Sequence, residues 1–247
     1  MSRPLSIAVV GNFQLGKSTL VNCLLGRNAA ETGKGKSTTH RNASFPFGPC
    51  EIIDTPGFDA KECDDKEAEG AIRKTDILLC VHESKPIGSS CPQLIPLIKE
   101  TGKKFLFLLN TMEQNQWSPD AGENGVIAQT IEAELSSNGL LSQVVPIDGV
   151  NVTPVNLLWA RFGLGLLDDE KALHKIARIM EEDVGISATG DTLREIILDR
   201  SGFLPIRDFL KNLPLELLKH DVMHPEQEIN RIVDRFAAEL KKRWNAA

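Results

Sequence analysis

A glycine-rich loop lies near the start of the chain, between an apolar run at residues 5–10 and a helix-like segment at residues 17–25. The loop reads Gly11-Asn12-Phe13-Gln14-Leu15-Gly16-Lys17-Ser18. This order of strand, loop and helix matches the phosphate-binding pattern G-x4-G-K-[ST]. Its glycines let the backbone curl so that several N–H groups face one anion, and the start of the helix adds positive potential. The pattern predicts a nucleoside triphosphate site, and the alternative is a chance glycine turn before a core helix.

The polar residues of this loop have separate predicted roles. Lys17 is expected to reach the outer phosphates, and the Ser18 hydroxyl to ligate Mg²⁺. Thr19 is expected to touch the α-phosphate. The remaining loop residues are expected to surround the phosphates with their backbone: Gly11, Asn12, Phe13, Gln14, Leu15 and Gly16.

A second motif, Asp54-Thr55-Pro56-Gly57, ends an apolar run downstream of the loop. At the end of a neighbouring strand, Asp54 is predicted to hold Mg²⁺ through water, and the Gly57 N–H to meet the γ-phosphate. A Pro-Gly pair also favours an ordinary turn. The two motifs together favour a triphosphate site over two unrelated turns.

Strand-like and helix-like segments alternate over the first two thirds of the chain. Strands are predicted at residues 5–10, 51–54, 76–81, 104–109 and 143–147, and helices at 17–25, 66–74, 92–101, 122–137 and 152–162. This alternation predicts a doubly wound α/β fold, in which a mostly parallel sheet carries helices on both faces and binds ligands at the carboxyl ends of its strands. The loops at residues 11–17, 54–57, 110–113 and 148–151 are all expected at that edge.

The order of phosphate loop, Thr38-Thr39 pair and Asp-Thr-Pro-Gly resembles the TrmE–Era–septin–dynamin-like group of P-loop GTPases, over about residues 5–160. The resemblance implies a G domain, predicted at residues 1–165, that uses Mg²⁺ to hydrolyse GTP to GDP and acts as a molecular switch. It also implies that Thr39 closes onto the metal from a first switch at residues 27–44, with Thr38 as the alternative. An ATP-using P-loop enzyme and a nucleotide-binding module with negligible hydrolysis are the competing functions.

Phe58 occupies the position where Ras-like proteins place the glutamine that orients the attacking water. A phenyl ring cannot hydrogen-bond water, so hydrolysis is expected to be slow or to need a cation, a partner or a nucleotide-dependent homodimer. The resemblance points to Gln14, which would offer its carbonyl oxygen to K⁺ or its amide to the β–γ bridge. A solvent-facing Gln14 is the alternative. The predicted catalytic residues are Lys17, Thr39, Gly57 and Gln14.

Base recognition is expected from Asn110 and Glu113, which follow the predicted strand at residues 104–109. Asn110 matches the Asn-Lys-x-Asp pattern of the group, whereas its lysine is absent and Glu113 stands in place of the aspartate. The backbone at Asp148 and Gly149 is expected to meet the guanine oxygen, in place of the group's Ser-Ala-Lys loop. Guanine is favoured over adenine because a base that leaves buried donors unpaired is penalised.

Charge and cysteine usage restrict the partners. A net charge of −6 provides no basic field, so no nucleic acid is expected. A nucleotide-dependent homodimer and an unknown effector protein stay open as the partners. The five cysteines lack C-x-x-C spacing, which is typical of thiols in a reducing compartment. No apolar run approaches about 20 residues and no signal-peptide pattern is present, so the expected location is the cytoplasm and membrane binding is not expected.

Residues 166–247 are predicted to form a small helical extension. Short helices are expected at residues 168–183, 191–200 and 205–213, and an amphipathic helix at 225–244. The last helix is expected to pack on the G domain. A partner-binding helix is the alternative, and mixed charges on its polar face argue against an anionic membrane surface.

Overall fold

The computed structural model describes residues 4–32, 41–58, 62–83, 85, 87, 92–111, 123–167, 169–214 and 217, with the backbone alone at residues 62–64, 123, 124, 183 and 184. Thr38, Thr39 and Glu113 lie outside these residues, as does the helix predicted at 225–244.

Within the described residues, six strands form one sheet in the order β2-β3-β1-β4-β5-β6. The antiparallel pair is β2 with β3, and the other neighbouring strands run parallel. The strands are β1 (Leu5–Val10), β2 (Ala43–Phe47), β3 (Cys50–Asp54), β4 (Ile77–Glu83), β5 (Phe105–Asn110) and β6 (Val152–Val155). The helices are α1 (Lys17–Leu25), α2 (Glu62–Lys74), α3 (Leu94–Thr101), α4 (Glu123–Ser137), α5 (Leu157–Gly163), α6 (Glu170–Val184), α7 (Gly190–Arg200) and α8 (Phe203–Lys211).

The sheet is buried on both faces, as the continuous apolar strands predict. On one face, Ile7 and Val9 of β1 share an apolar cluster with residues of α1, α5 and α8. On the other face, Ala8 and Val10 share a second cluster with residues of α2, α3 and α4. The predicted doubly wound α/β fold is therefore confirmed, and the carboxyl ends of the parallel strands lie at one edge of the sheet.

The last strand and the helix after it differ from the prediction. Residues 152–155 were predicted to begin a helix but form β6, while the predicted strand at 143–147 contributes only isolated bridges at Val144 and Ile147. The physical reason lies in the sequence Val-Thr-Pro-Val, because β-branched residues favour a strand and an edge strand tolerates a proline. The helix begins only at Leu157, where the Asn156 side chain accepts a hydrogen bond from the Trp159 N–H at 3.0 Å.

The sequence prediction also missed β2, which lies within the segment predicted as the first switch and just beyond it. It is a five-residue edge strand that contains Pro46, and its residues alternate between partly buried and exposed until Phe47. A short edge strand that contains a proline has a weak sequence pattern of alternating apolar and polar residues. Proline is tolerated there because one side of the strand forms no hydrogen bonds to a neighbouring strand.

The described helices after residue 165 pack on the rest of the molecule. A Cβ added to Gly163 of α5 would lie 2.5 Å from the Cβ of Leu198, so α5 and α7 are in close contact at that glycine. Phe203 and Ile206 of α8 belong to the same apolar cluster as β1 and α1. Among the helices that are described, none combines the length and the apolar character that a bilayer crossing requires.

Candidate functional site

The glycine-rich loop leaves β1 after Val10 and enters α1 at Lys17. Gly11 has φ 147°, and a Cβ at this position would lie 2.2 Å from the carbonyl oxygen of Val81, so only glycine allows β4 to approach this closely. Gly16 is the N-cap of α1 with φ 93° and supplies no side-chain hydrogen bond to the helix. The loop therefore turns sharply into a helix N-terminus, the setting in which proteins bind phosphate groups.

Lys17 lies inside the curve of this loop. Its side chain is 6% exposed, and its ammonium group donates a hydrogen bond to the carbonyl oxygen of Asn12 at 2.8 Å. An ammonium that is held by the backbone of the loop is oriented toward any anion that the loop encloses.

Ser18 follows Lys17 in the sequence, and its hydroxyl pairs with Asp54 at the end of β3, the strand beside β1. The Ser18 hydroxyl donates to the Asp54 carboxylate at 2.7 Å, and Asp54 is 1% exposed at the end of β3. Hydroxyl and carboxylate oxygens are the donors that Mg²⁺ prefers, so the residues fit the predicted ion.

Gly57 packs directly on the glycine-rich loop. A Cβ at Gly57 would lie 2.5 Å from the Cα of Phe13 and 2.9 Å from the Lys17 nitrogen. The structure thus brings together the two motifs that the sequence predicted to meet. Gln14 has φ 63° and an exposed side chain on the same loop.

Phe58 is buried rather than exposed at the site. Its side chain is 1% exposed and belongs to the apolar cluster that contains Ala68 and Ile72 of α2. Its backbone is bonded to the loop, since the Phe13 N–H donates to the Phe58 carbonyl at 3.0 Å and the Phe58 N–H donates to the Gly11 carbonyl at 3.3 Å.

Asn110 connects three parts of the site from the end of β5. Its amide donates to the Leu15 carbonyl at 2.9 Å, and its side-chain oxygen accepts from the Leu157 N–H at 3.2 Å. The Asn110 side chain therefore ties the glycine-rich loop to the start of α5.

Asp148 and Gly149 do not lie at this edge, and their predicted place in the site is wrong. They form an exposed turn between Ile147 and Val150, before β6 begins, and line a cleft beside α8. Because β6 runs parallel to β5, the segment that reaches the carboxyl edge is the one after Val155.

Asn156 and Leu157 follow β6 at the carboxyl edge and were missed by the sequence analysis. Both are buried, and Leu157 meets Asn110 as described above. The available signal was the asparagine that precedes the helix-forming run Leu-Leu-Trp-Ala, which is typical of an N-cap.

Burial shifts the pKa of several groups close to the sheet. It raises the pKa of the Cys23 thiol on α1 to about 12 and of the Cys50 thiol to about 11, so both are neutral packing groups. Burial also lowers the pKa of His82 near the end of β4, whose Nε2 lies 2.9 Å from the Lys85 carbonyl. None of these groups has the charge at neutral pH that phosphate binding needs.

The sequence profile of the family described as 50S ribosome-binding GTPase matches residues 6–111. Similar curated proteins are GTPase Der of Pelotomaculum thermopropionicum, 30% identical over 46% of this chain, and GTPase Era of Xylella fastidiosa, 29% identical over 44% of it. The tRNA modification GTPase MnmE of Campylobacter fetus is 28% identical over 56% of this chain. This chain spans 28%, 40% and 33% of the lengths of these three relatives.

Among solved structures, that of Era in complex with MgGDPNP and a segment of 16S ribosomal RNA is similar to this chain, with 18% sequence identity and a TM-score of 0.48. The aligned region covers 68% of this chain and 58% of the Era chain. The RNA in that complex is a ligand of that Era protein. Residues 6–111, the segment that matches the family profile, contain the glycine-rich loop, the Asp54–Gly57 motif and Asn110. Residues 6–111 match the 50S ribosome-binding GTPase family, and this part of the chain is similar to the TrmE–Era–dynamin-like group of P-loop GTPases, as the sequence motifs predict.

Proposed function

We propose that this chain binds GTP with Mg²⁺, hydrolyses it to GDP and phosphate, and acts as a nucleotide-dependent switch. The observation that carries the proposal is the convergence of the buried Lys17 ammonium, the Ser18–Asp54 pair at 2.7 Å and Gly57 on one glycine-rich loop. The GTPases among its relatives support the same activity.

The phosphate chemistry is assigned to residues of the loop and of β3. Lys17 neutralises charge on the outer phosphates, and the Gly57 N–H receives the γ-phosphate. Ser18 and Asp54 would hold Mg²⁺, with Thr39 completing the ligands from outside the described residues. When bound, the ion neutralises charge that develops on the phosphate oxygens.

Guanine recognition is assigned to Asn110, with Glu113 as the proposed acceptor for the guanine N–H groups. The support for Asn110 is its position, because it already joins the glycine-rich loop to the Leu157 N–H. A buried hydrogen-bonding group that is left unpaired costs about 1–3 kcal/mol. Guanine can pair its N–H groups with the Glu113 carboxylate, so the proposal predicts a preference for guanine over adenine.

Slow intrinsic hydrolysis is part of this proposal, because Phe58 is buried in the core and offers no hydrogen bond to water. The group that orients the water is therefore Gln14, a K⁺ ion bound through it, or a residue from an effector or a second copy of the chain. The same observation favours the second candidate function, a module that binds nucleotide with negligible turnover.

Calorimetry with GDP, a nonhydrolysable GTP analogue and an ATP analogue, each with Mg²⁺, tests the binding proposal. We expect both guanine nucleotides to bind and Lys17→Ala to weaken their binding about 100-fold or more, since a charged hydrogen bond contributes about 1.5–3 kcal/mol and the proposal gives Lys17 more than one such bond to the phosphates. Lys74→Ala, at an exposed lysine of α2, is the matched control and should bind as wild type. Absence of heat with every purine nucleotide, or unchanged affinity in Lys17→Ala, would contradict the proposal.

Phosphate release in K⁺ and in Na⁺, across a range of protein concentrations, tests the hydrolysis proposal. We expect faster release in K⁺, and we expect Gln14→Ala to remove that difference. A rate per molecule that rises with concentration indicates activation by a second copy. No release above background under any condition leaves the binding module as the function.

A further inference from the structure

We propose that residues 225–244, called the amphipathic segment below, dock in the cleft between α8 and the loop at residues 145–149. Their apolar residues contact the apolar side chains that line the cleft, and their basic residues face its carboxylates. This surface lies outside the residues to which nucleotide binding is assigned, so the docking is independent of the proposed function.

The cleft beside α8 has a volume of about 770 Å³. Its apolar lining comes from Leu204 and Phe209 of α8 and from Val145 and Pro146 of the loop before β6. Leu204 and Phe209 are half-buried and pack against the apolar cluster that β1, α1 and α8 share. Volumes of about 300–1,000 Å³ are typical of ligand sites, so the cleft has room for several apolar side chains.

Three exposed carboxylates line the same cleft, those of Asp148, Asp199 and Asp208. Asp208 is paired with Arg207, whose Nε lies 3.3 Å from the Asp208 Oδ1. Within the part of the chain that the structure describes, neither Asp148 nor Asp199 has an ion-pair partner. The cleft is therefore apolar inside and negative at its margin, which favours an occupant that combines apolar side chains with positive charge.

The amphipathic segment has this combination in its sequence. Apolar residues recur at spacings of three and four, the pattern of one face of a helix. These residues are Ile229, Ile232, Val233, Phe236, Leu240 and Trp244. The acidic residues of the segment all precede Leu240, so its positive charge is concentrated in the run Lys241-Lys242-Arg243.

The described chain leads toward the cleft before the segment begins. Leu213 and Leu217 follow α8 and are buried in the apolar cluster against which Leu204 and Phe209 pack. Residues 218–224 then span up to about 23 Å when extended, whereas the nine residues of α8 are about 14 Å long. This linker is long enough for the segment to turn back along α8. A short linker also gives a local concentration in the millimolar range, which favours this occupant over a separate protein.

Charge reversal tests the docking in the full chain, with chymotrypsin cleavage within residues 229–244 as the readout. We expect Asp148→Asn with Asp199→Lys to raise the initial cleavage rate about fivefold or more, because attraction to the basic run becomes repulsion. Asparagine suits the positive φ of 49° at position 148. Lys241→Glu with Lys242→Glu should raise the rate in the same way, and the combination of all four substitutions should return it toward wild type.

Glu181→Lys is the matched control, because Glu181 is an exposed acidic residue of α6 and does not line the cleft. It should be cleaved at the wild-type rate. Trp244 provides a second readout in the wild-type chain. The fluorescence lost in Trp244→Phe should lie at a shorter wavelength than that of tryptophan in water, and should shift to the water value when Asp148 and Asp199 are substituted.

Several results would overturn the docking. They are wild-type cleavage as fast as in the charge-reversed variants, a missing rescue in the folded four-fold variant, and water-like Trp244 fluorescence in the wild type. Cleavage that slows as protein concentration rises would show that the cleft takes the segment of a second copy, and would overturn docking within one chain. No readout needs nucleotide, so these failures are distinct from a failure of the proposed function.

Discussion

In the proposed phosphate half of the site, the glycine-rich loop with Asp54 and Gly57, the geometry is made by backbone that only glycine can follow. In the proposed base half, which comprises Asn110, Asn156 and Leu157, the geometry depends on one side chain. Gly11 allows β4 to approach the loop, whereas Asn110 bridges the Leu15 carbonyl and the Leu157 N–H with its own amide group. The glycine-rich loop therefore needs glycines at fixed positions in the sequence. The other half needs only one asparagine that can hydrogen-bond to both the Leu15 carbonyl and the Leu157 N–H.

This difference explains why the sequence located every part of the proposed phosphate half but only Asn110 of the proposed base half. A loop built from backbone must keep its glycines and its length, so its motif identifies it. The segment after β6 reaches the edge of the sheet through strand pairing, which leaves no fixed motif. Substitutions should therefore act differently in the two halves.

The largest effect is expected from Gly11→Ala, which places a side chain where the backbone of the glycine-rich loop contacts β4. The new Cβ would lie 2.2 Å from the Val81 carbonyl at a φ of 147°, so β1, β4 or the loop must shift. We expect a loss of about 3 kcal/mol or more in the free energy of unfolding, together with loss of nucleotide binding. Urea denaturation and calorimetry measure the two effects.

Gly48→Ala is the matched control for this substitution. Gly48 also has a positive φ, 55°, but a Cβ there would meet nothing within 4 Å. It should cost only about 1 kcal/mol of stability and leave nucleotide affinity unchanged. Equal losses in the two variants would show that conformational strain, and not the contact with Val81, sets the requirement for glycine.

A smaller effect is expected from Asn110→Ala, which removes the link between the halves. The Leu15 carbonyl and the Leu157 N–H would both lose a buried partner, at about 1–3 kcal/mol for each group. We expect GDP affinity to fall about tenfold or more and the preference for guanine over adenine to narrow. Calorimetry with paired guanine and adenine nucleotides measures both changes.

Asn110→Asp sharpens the same test, because it keeps an acceptor for the Leu157 N–H and loses the donor to the Leu15 carbonyl. If this variant binds like Asn110→Ala, the contact with the glycine-rich loop is the important one. If it binds like wild type, the base half does not depend on that contact, and the proposed coupling between the halves is wrong.

The elements predicted most closely from the sequence are those whose patterns are constrained on every side. β1 and α1 have the predicted bounds, because a buried strand, a fixed loop and a helix start leave no freedom between them. The short edge strands were missed, since Pro46 in β2 and Pro154 in β6 interrupt patterns of only five and four residues. The apolar run at residues 143–147 was predicted as the last strand because a short apolar run has the same composition in either setting.

The chemistry of Phe58 was only partly available from sequence. Its identity showed that no hydrogen bond to water is possible at that position, whereas its burial against α2 depends on packing between distant elements. Asp148 and Gly149 were misplaced because residues 143–147 were predicted as the last strand, whereas the last strand is Val152–Val155. The loop that follows residues 143–147 therefore precedes β6 and does not reach the carboxyl edge.

The smallest effect is expected from Asp148→Asn, which tests the corrected boundary of the base half. Asp148 lies in an exposed turn beside α8, so nucleotide affinity and base preference should stay within about twofold of wild type, as for most exposed substitutions. Asn156→Ala is the contrasting variant, because it removes the side chain that caps α5 through the Trp159 N–H at 3.0 Å. It should cost about 1 kcal/mol of stability and weaken GDP binding several-fold, since the first turn of α5 carries the Leu157 N–H that Asn110 binds. If calorimetry showed the opposite order, with Asp148→Asn the more damaging, the base half would include the loop before β6 and the separation of the two halves would be wrong.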